Sequence, residues 1–315
     1  MAITYVERDG ETVYRPPYAQ NNTLLMGWNF TTSLDSLQRI LDHDLNAPAR
    51  GAVRYRAVTA SFVLTFANIR TIRSLDARDR DRGWIPEIDV CVWILAGAER
   101  PGTSQLDRLV WYVPYIWVDN PFAVATGRET LGYPKAIGWM HAPERPTDRG
   151  PFTLDALVLP TYAPETELVR RRVLSIEQST HATTEPPAKS AASLVTMLLR
   201  PLLREARSGR DLALLRGAAS NMLRGQVPLV FLKQFRDSAT PDRACFQAIV
   251  EANTTIARVE RGGVLDGTWR LDLERYDSVR MRDRLGLSAT TLADRGFWVD
   301  FSFSMDLGRE VWRAS

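Results

Sequence analysis

Lysine, cysteine and histidine are all scarce in this chain of 315 residues, and each shortage excludes a class of protein. Only three of the 40 basic residues are lysines and the net charge is +3, so no lysine-rich run marks a nucleic-acid-binding surface. Cys91 and Cys245 lie in apolar, strand-like runs, which predicts two buried free thiols in a reducing compartment. His43, His141 and His181 lack the clustered Cys or His spacing of a zinc site, so we predict no metal.

Long apolar runs are missing as well. No uninterrupted apolar run approaches the roughly 20 residues that a membrane-spanning helix needs. Residues 1–15 are polar, carry charges of both signs and lack the apolar core of a signal peptide. We therefore predict a cytoplasmic protein without a membrane or nucleic-acid partner. With 45% apolar and 24% charged residues, the composition is that of a globular protein.

Most of the sequence outside the loops has the residue pattern of β-strands. Helical patterns are few, and they do not alternate with strands as a doubly wound parallel sheet would require. The sequence therefore predicts a mainly β or α+β protein with an antiparallel, barrel-like sheet. The runs rich in β-branched and aromatic residues cover 24–30, 53–69, 85–96, 109–118, 152–159, 227–235, 244–259, 268–276 and 297–305.

Three segments have helical periodicity. Ser33 is a candidate N-cap for a helix over 33–45, where leucine and isoleucine recur at helical spacing. Two further patterns cover 190–206 and 212–223, between segments that look like strands. We therefore predict one domain over 1–315 with a helical insertion at about 160–225. A charged loop is predicted over 70–83, a polar connection over 164–187 and a short helix around Leu292.

The one lysine in an unusual setting is Lys135. Its neighbours from Leu131 to Trp139 are apolar or small. An ammonium there is poorly solvated, and poor solvation favours the neutral amine. A neutral amine adds to a carbonyl carbon and forms a Schiff base. The alternative is a lysine whose stem packs while its head stays in water, and composition alone favours that alternative.

Sequence motifs around Lys135 favour the chemical interpretation. The segments Val118–Asn120, Ala123–Glu129 and Gly132–Lys135 resemble the active-site segment of the acetoacetate decarboxylase family, a standard example of lysine activation. The resemblance implies that Lys135 is the Schiff-base nucleophile. It also implies an antiparallel β cone or barrel with flanking helices, assembled into a homo-oligomer, and no cofactor. Looser matches over 230–245, 267–271 and 285–287 extend it to most of the chain outside about 160–225.

The resemblance also gives roles to other residues. Glu87 begins a predicted strand at the place of a family active-site glutamate, where it could move protons near the imine; alternatively it lies at a strand end in water. Arg128 could bind a substrate carboxylate and Glu129 could orient the lysine, or the two could form an ion pair that holds the turn. Tyr133 is a candidate for substrate contact, although packing against the sheet is the favoured interpretation.

Three departures from the family pattern affect the predicted reaction. The family decarboxylases have a second lysine beside the nucleophile, where this chain has Pro134 and Ala136. They also have an arginine in the first strand and a further early glutamate, but 20–32 has no arginine and 51–75 no acidic residue. We therefore predict a Schiff-base-forming lyase acting on a small keto acid, with aldolase-dehydratase-like or decarboxylase-like chemistry. The alternatives are acetoacetate decarboxylase itself and a non-catalytic protein that binds a small ligand.

Overall fold

A computed structural model describes residues 4–8, 13–180, 224–293 and 296–314. The strands among these residues are β1 (Tyr18–Thr31), β2 (Tyr55–Ala57), β3 (Ser61–Ser74), β4 (Ile85–Glu99), β5 (Leu106–Val118), β6 (Lys135–His141), β7 (Phe152–Val158), β8 (Val169–Gln178), β9 (Gln226–Arg236), β10 (Ala244–Leu265), β11 (Trp269–Leu273), β12 (Thr290–Ala293), β13 (Gly296–Met305) and β14 (Arg309–Arg313). The helices are α1 (Leu34–Leu41), α2 (Ala47–Ala49), α3 (Pro121–Thr130) and α4 (Met281–Leu285), and a π-helical turn covers Asp42–Asn46.

Seven of the strands close into a ring. Following the hydrogen bonds, the order is β5, β9, β10, β13, β1, β3 and β4, and β4 pairs again with β5. The pairings are antiparallel except between β5 and β9, which run parallel. Residues Ile116–Val118 at the end of β5 also pair in parallel with β6, and β7, β8, β11 and β12 continue outward from there. The predicted antiparallel β cone or barrel with few helices is confirmed by this arrangement.

Successive residues of the ring strands face two different environments, because side chains alternate along a strand. On β1, Met26, Trp28 and Phe30 are fully buried in the outer core, between the ring and the strands β7, β8 and β11. The ring of Trp28 lies 5.0 Å from that of Trp269. Leu25, the residue before Met26, faces the ring interior, where a cavity lies. The same alternation holds on β3 and β4, so each strand serves both the core and the cavity.

Helix α1 begins where the sequence predicted. Ser33 is its N-cap, and the Ser33 hydroxyl accepts a hydrogen bond from the backbone N–H of Ser36 at 3.0 Å. Leu37, Ile40 and Leu41 are buried against the outer core. Beyond the π-helical turn and α2, the chain enters β2. None of the helices among the described residues is long and apolar enough to cross a membrane.

Some local predictions were wrong. Val169–Gln178 forms β8, which pairs with both β7 and β11, so this part of the predicted insertion and polar connection belongs to the sheet. The helices predicted over 190–206 and 212–223 lie outside the described residues. Strand β3 continues to Ser74, into the predicted charged loop, because its last residues pair with β1.

One prediction near the C-terminus and one about a thiol also need correction. Leu292 lies in strand β12, paired with β11, whereas the short helix is α4 at Met281–Leu285. Cys91 is buried, as predicted, but Cys245 is exposed. It stands near the start of β10, beside the turn from β9, where the pairing begins with a register shift.

Candidate active site

Lys135 is the first residue of β6, and two elements hold it there. Parallel pairing places Lys135 beside Ile116 of β5. Before it, helix α3 starts at Pro121 after Asn120, whose side-chain oxygen accepts a hydrogen bond from the N–H of Phe122 at 3.0 Å. A turn at Gly132, with φ of +94°, then directs the chain from the helix into the strand.

A glycine in α3 makes room for the lysine stem. A methyl group on Gly127 would lie 2.8 Å from the Cδ atom of Lys135 and 3.0 Å from its Cε atom. The lysine side chain therefore runs directly against the helix backbone. Any larger residue at position 127 would displace the amine.

The Lys135 amine pairs with the buried carboxylate of Glu87. The Nζ atom donates to Oε2 of Glu87 at 2.7 Å, and the two side chains are 10% and 4% exposed. Glu87 lies on β4, opposite Ile69 of β3. The Nζ atom also lies 5.6 Å from the centre of the Tyr133 ring. The pair is thus largely shielded from water, and its strength and proton position depend on the protein rather than on the solvent.

A second acid, Asp89, stands two residues further along β4 on the same face. Its carboxylate accepts a hydrogen bond from the thiol of Cys91 at 3.2 Å. Burial, followed by repulsion from Glu87, raises the pKa of Asp89 to about 7. Burial likewise raises the pKa of the Cys91 thiol. Sequence reasoning missed Asp89, although the spacing of Glu87, Asp89 and Cys91 at every second residue of a strand places all three on one face.

These groups form one wall of a cavity of about 590 Å³ inside the ring of strands. All seven ring strands contribute side chains, and α3 contributes Ala123, Thr126 and Gly127. Most of the wall is apolar, as in other small-molecule sites. Representative apolar residues are Leu25, Ala67, Ile69, Ile116, Leu229 and Val299.

The structure brings three of the five predicted site residues together. Lys135, Glu87 and Tyr133 all line the cavity. Tyr133 is buried, its ring lies 4.2 Å from that of Phe231, and burial raises the pKa of its hydroxyl. The phenol therefore stays protonated at neutral pH. Packing against the sheet, the favoured interpretation of Tyr133, agrees with this position.

Arg128 and Glu129 are placed differently from the prediction. Neither is among the residues that line the cavity. Arg128 is exposed, and its guanidinium donates to the backbone carbonyl of Lys135 at 3.4 Å. Glu129 accepts a hydrogen bond from the hydroxyl of Tyr5 at 3.0 Å. Arg128 therefore contacts the Lys135 backbone and Glu129 contacts Tyr5, while neither side chain lines the cavity.

Comparison with known proteins agrees with this architecture. A family model described as acetoacetate decarboxylase matches residues 3–156, just under half of the chain. The crystal structure of acetoacetate decarboxylase from Legionella pneumophila subsp. pneumophila str. Philadelphia 1 superposes with a TM-score of 0.62 at 12% identity, over 98% of this chain and 93% of that one. No curated protein matches the sequence significantly.

Two further solved structures show the same fold. The enduracididine biosynthesis enzyme MppR complexed with pyruvate has a TM-score of 0.58 at 15% identity, covering 96% of this chain and 93% of that one. An acetoacetate decarboxylase-like enzyme from Sphingomonas wittichii RW1 has a TM-score of 0.51 at 12% identity, covering 95% and 94%.

Solved structures described as acetoacetate decarboxylase or as acetoacetate decarboxylase-like share the fold of this chain. The comparisons thus establish the fold of this chain and a resemblance to the acetoacetate decarboxylase family over residues 3–156.

Proposed function

We propose that the protein is a Schiff-base-forming lyase that acts on a keto acid through Lys135. The observation that carries the proposal is the Lys135 amine, largely buried, 2.7 Å from the Glu87 carboxylate and facing a cavity of about 590 Å³. An amine in that position has both a proton acceptor and room for a ligand. Imine formation requires a group that removes a proton from the amine and space for the carbonyl compound, and both lie beside Lys135.

The first steps follow from the hydrogen bond between the two groups. The Lys135 ammonium passes a proton to Glu87, and the free amine adds to the ketone carbon of the substrate. The added nitrogen gives a proton to the new alkoxide, which becomes a hydroxyl group, and Glu87 returns its proton to that hydroxyl, which leaves as water. The product is a protonated imine on Lys135, with Glu87 again ionised beside it.

The protonated imine then accepts an electron pair. The pair comes either from the carbon–CO2 bond, which releases CO2, or from a carbon–hydrogen bond next to the imine, whose proton passes to a carboxylate. Asp89 and Glu87 are the buried carboxylates on the cavity side of β4, and either can take this proton. The resulting enamine can be reprotonated or can add to an aldehyde, and water finally releases the lysine.

Aldol and dehydration chemistry is the favoured outcome. The residues beside Lys135, and the early strands, lack the charged groups that the family decarboxylases carry. One of the solved structures that shares this fold holds the condensation product of pyruvate and imidazole 4-carboxaldehyde. Acetoacetate decarboxylase activity and non-catalytic binding of a small ligand are the alternatives, and the largely apolar cavity wall favours the second of these over the first. Assembly into a homo-oligomer is part of the proposal.

Trapping of the imine tests the proposal. The protein is incubated with pyruvate or acetoacetate, reduced with borohydride and analysed by mass spectrometry. We expect a mass increase that corresponds to the reduced imine and maps to Lys135, and we expect the Lys135→Ala variant to lose it. Lys233→Ala is the matched control, because the Lys233 amine lies 5.4 Å from the Phe246 ring instead of on the cavity wall.

The possible results separate the candidates. An adduct on Lys135 together with CO2 release from acetoacetate would favour a decarboxylase, whereas an adduct without CO2 release would favour the aldolase-dehydratase. Binding of keto acids without an adduct, or an adduct that survives in Lys135→Ala, would contradict the proposed enzyme and favour a binding protein.

A further inference from the structure

The cavity is much larger than a small keto acid requires. Cavities of about 300–1,000 Å³ hold drug-sized ligands, and this one measures about 590 Å³. Pyruvate and acetoacetate have six and seven non-hydrogen atoms and would leave most of that space unfilled. The residues of the ring strands show where the unfilled space extends and which side chains line it.

The direction follows from the spacing of the lining residues on β4. Glu87, Asp89, Cys91 and Trp93 all face the cavity. At about 3.3 Å per residue, Trp93 lies about 20 Å along the strand from Glu87. The neighbouring strand β3 confirms the direction, because Ile69 is paired with Glu87 and Val63 is paired with Trp93, and both line the cavity. The space therefore extends far beyond the Lys135 amine.

The distant part of the wall is suited to apolar groups. Trp93 and Trp111, with Val63 and Phe297, are its large side chains. The polar atom of Trp93 is already satisfied, because its Nε1–H donates to the hydroxyl of Thr65 at 2.8 Å. This end thus offers aromatic and aliphatic surface, while the charged groups of β4 stay near Lys135.

We propose that the substrate of Lys135 carries a large apolar substituent, an aryl group or an alkyl chain of several carbons, which lies along β3 and β4 toward Trp93. The inference rests on the proposed function and specifies its substrate class. The carbonyl carbon bonds to the Lys135 amine, and the apolar substituent occupies the part of the cavity that a small keto acid leaves empty. Transfer of apolar groups from water into such a wall favours the larger substrate.

A chain-length series tests this assignment. Pyruvate, 2-oxobutanoate, 2-oxohexanoate, 2-oxooctanoate and 4-phenyl-2-oxobutanoate are each titrated in the borohydride trapping assay. The measured quantity is the concentration that gives half-maximal labelling of Lys135. Burial of each added methylene group predicts that this half-maximal concentration decreases by up to about fourfold. We expect 2-oxooctanoate and the phenyl compound to label at concentrations at least tenfold lower than pyruvate.

A change of volume at the distant end provides a second measurement. The compared quantity is the half-maximal labelling concentration of pyruvate divided by that of 2-oxooctanoate. Val63→Trp should reduce this ratio, and Val63→Ala should keep or increase it. Leu157→Trp, at an exposed position of β7, is the control for adding an indole elsewhere and should leave the ratio unchanged. If Val63→Trp does not fold, Val63→Ala and the chain-length series still decide the question.

The outcomes distinguish this inference from the proposed function. Labelling of Lys135 with equal half-maximal concentrations along the whole series would overturn the large apolar substituent and leave the Schiff-base lyase intact. Labelling by pyruvate that is lost with longer chains would do the same. Absence of labelling by every compound would overturn both.

Discussion

At the scale of single residues, the site consists of an amine and two carboxylates that share one shielded space. The Lys135 and Glu87 side chains pair at 2.7 Å, so each neutralises the other. Within the described part of the chain Asp89 has no comparable ion pair, and its direct hydrogen bond comes from the weakly donating Cys91 thiol. Burial is therefore the largest influence on the pKa of Asp89.

The ionisation of Asp89 predicts a pH dependence of stability. Its pKa in the folded protein is about 7, above the value of about 3.9 in an unfolded chain, so the folded state binds the proton more tightly. The stabilisation is fully present below the unfolded value and is lost as the pH rises through the folded value. An asparagine side chain cannot ionise, so we expect Asp89→Asn to unfold with nearly wild-type free energy at pH 4 and to be more stable than wild type at pH 8, by at least about 1 kcal/mol.

Urea titrations of both proteins at pH 4, 6 and 8 measure this difference. Asp272→Asn, on strand β11 outside the ring and partly exposed, is a control for loss of one carboxylate. A difference between Asp89→Asn and wild type that does not change with pH would show that Asp89 is already ionised in the folded protein across that range.

At the scale of secondary-structure elements, helix α3 and strand β6 together determine where the amine lies. Gly127 sits inside α3, although glycine costs a helix about 0.5–1 kcal/mol relative to alanine. The contact of its backbone with the Lys135 stem accounts for the glycine. Glycine at position 127 thus lowers the stability of the helix but leaves room for the Lys135 side chain.

Substitution of Gly127 tests this relation. The Cβ atom of Gly127→Ala would lie 2.8 Å from Cδ of Lys135 and must displace the side chain. A displacement of about 1 Å typically lowers the rate of a reaction about 10²-fold. We expect at least a tenfold slower labelling of Lys135 in the trapping assay, with the fold retained. Ala125→Gly, in the same helix, should reduce stability by about 0.5–1 kcal/mol without slowing the labelling. Equal rates for Gly127→Ala and wild type would mean that α3 does not position the amine.

The elements also show what the sequence could predict. Alternating apolar residues revealed most strands, and the resemblance to the family's active-site segments pointed to Lys135 and Glu87. Strand β8 was missed because Arg170, Arg171 and Arg172 look like a solvated loop. Two of these arginines lie on the exposed side of the sheet and pair with Asp155, a partner that only the folded pairing of β7 and β8 provides. The outward direction of Arg128 depends on the rotation of α3, which its sequence does not determine.

At the scale of the whole molecule, the outer core lies between the ring of strands and the strands β7, β8 and β11. Trp28 is its central residue: its indole is fully buried, and it contacts Phe66, Phe152 and Trp269. Among the described residues its Nε1–H has no hydrogen-bond partner. The indole therefore contributes through its volume and apolar surface.

Replacement of Trp28 should separate these contributions. We expect Trp28→Ala to lower the free energy of unfolding by about 3–5 kcal/mol, as is typical when a large aromatic side chain is removed from a core. Trp28→Phe should cost clearly less, because the lost N–H has no partner among the described residues of the folded protein. Denaturant unfolding of the three proteins measures both values. Equal losses for the two variants would show that the indole N–H does make a stabilising interaction.

The side chains of each ring strand alternate between the core and the cavity. A shift by one residue would therefore exchange the two faces of the strand. Deletion of one residue in the middle of β4 would turn Asp89 and Cys91 into the core and bring Val90 and Val92 to face the cavity. Related chains should thus accumulate insertions and deletions in the connections, while the strands diverge by substitution alone. Sequences of this architecture can therefore drift far apart in identity and still keep a lysine, a carboxylate and an enclosed space in register.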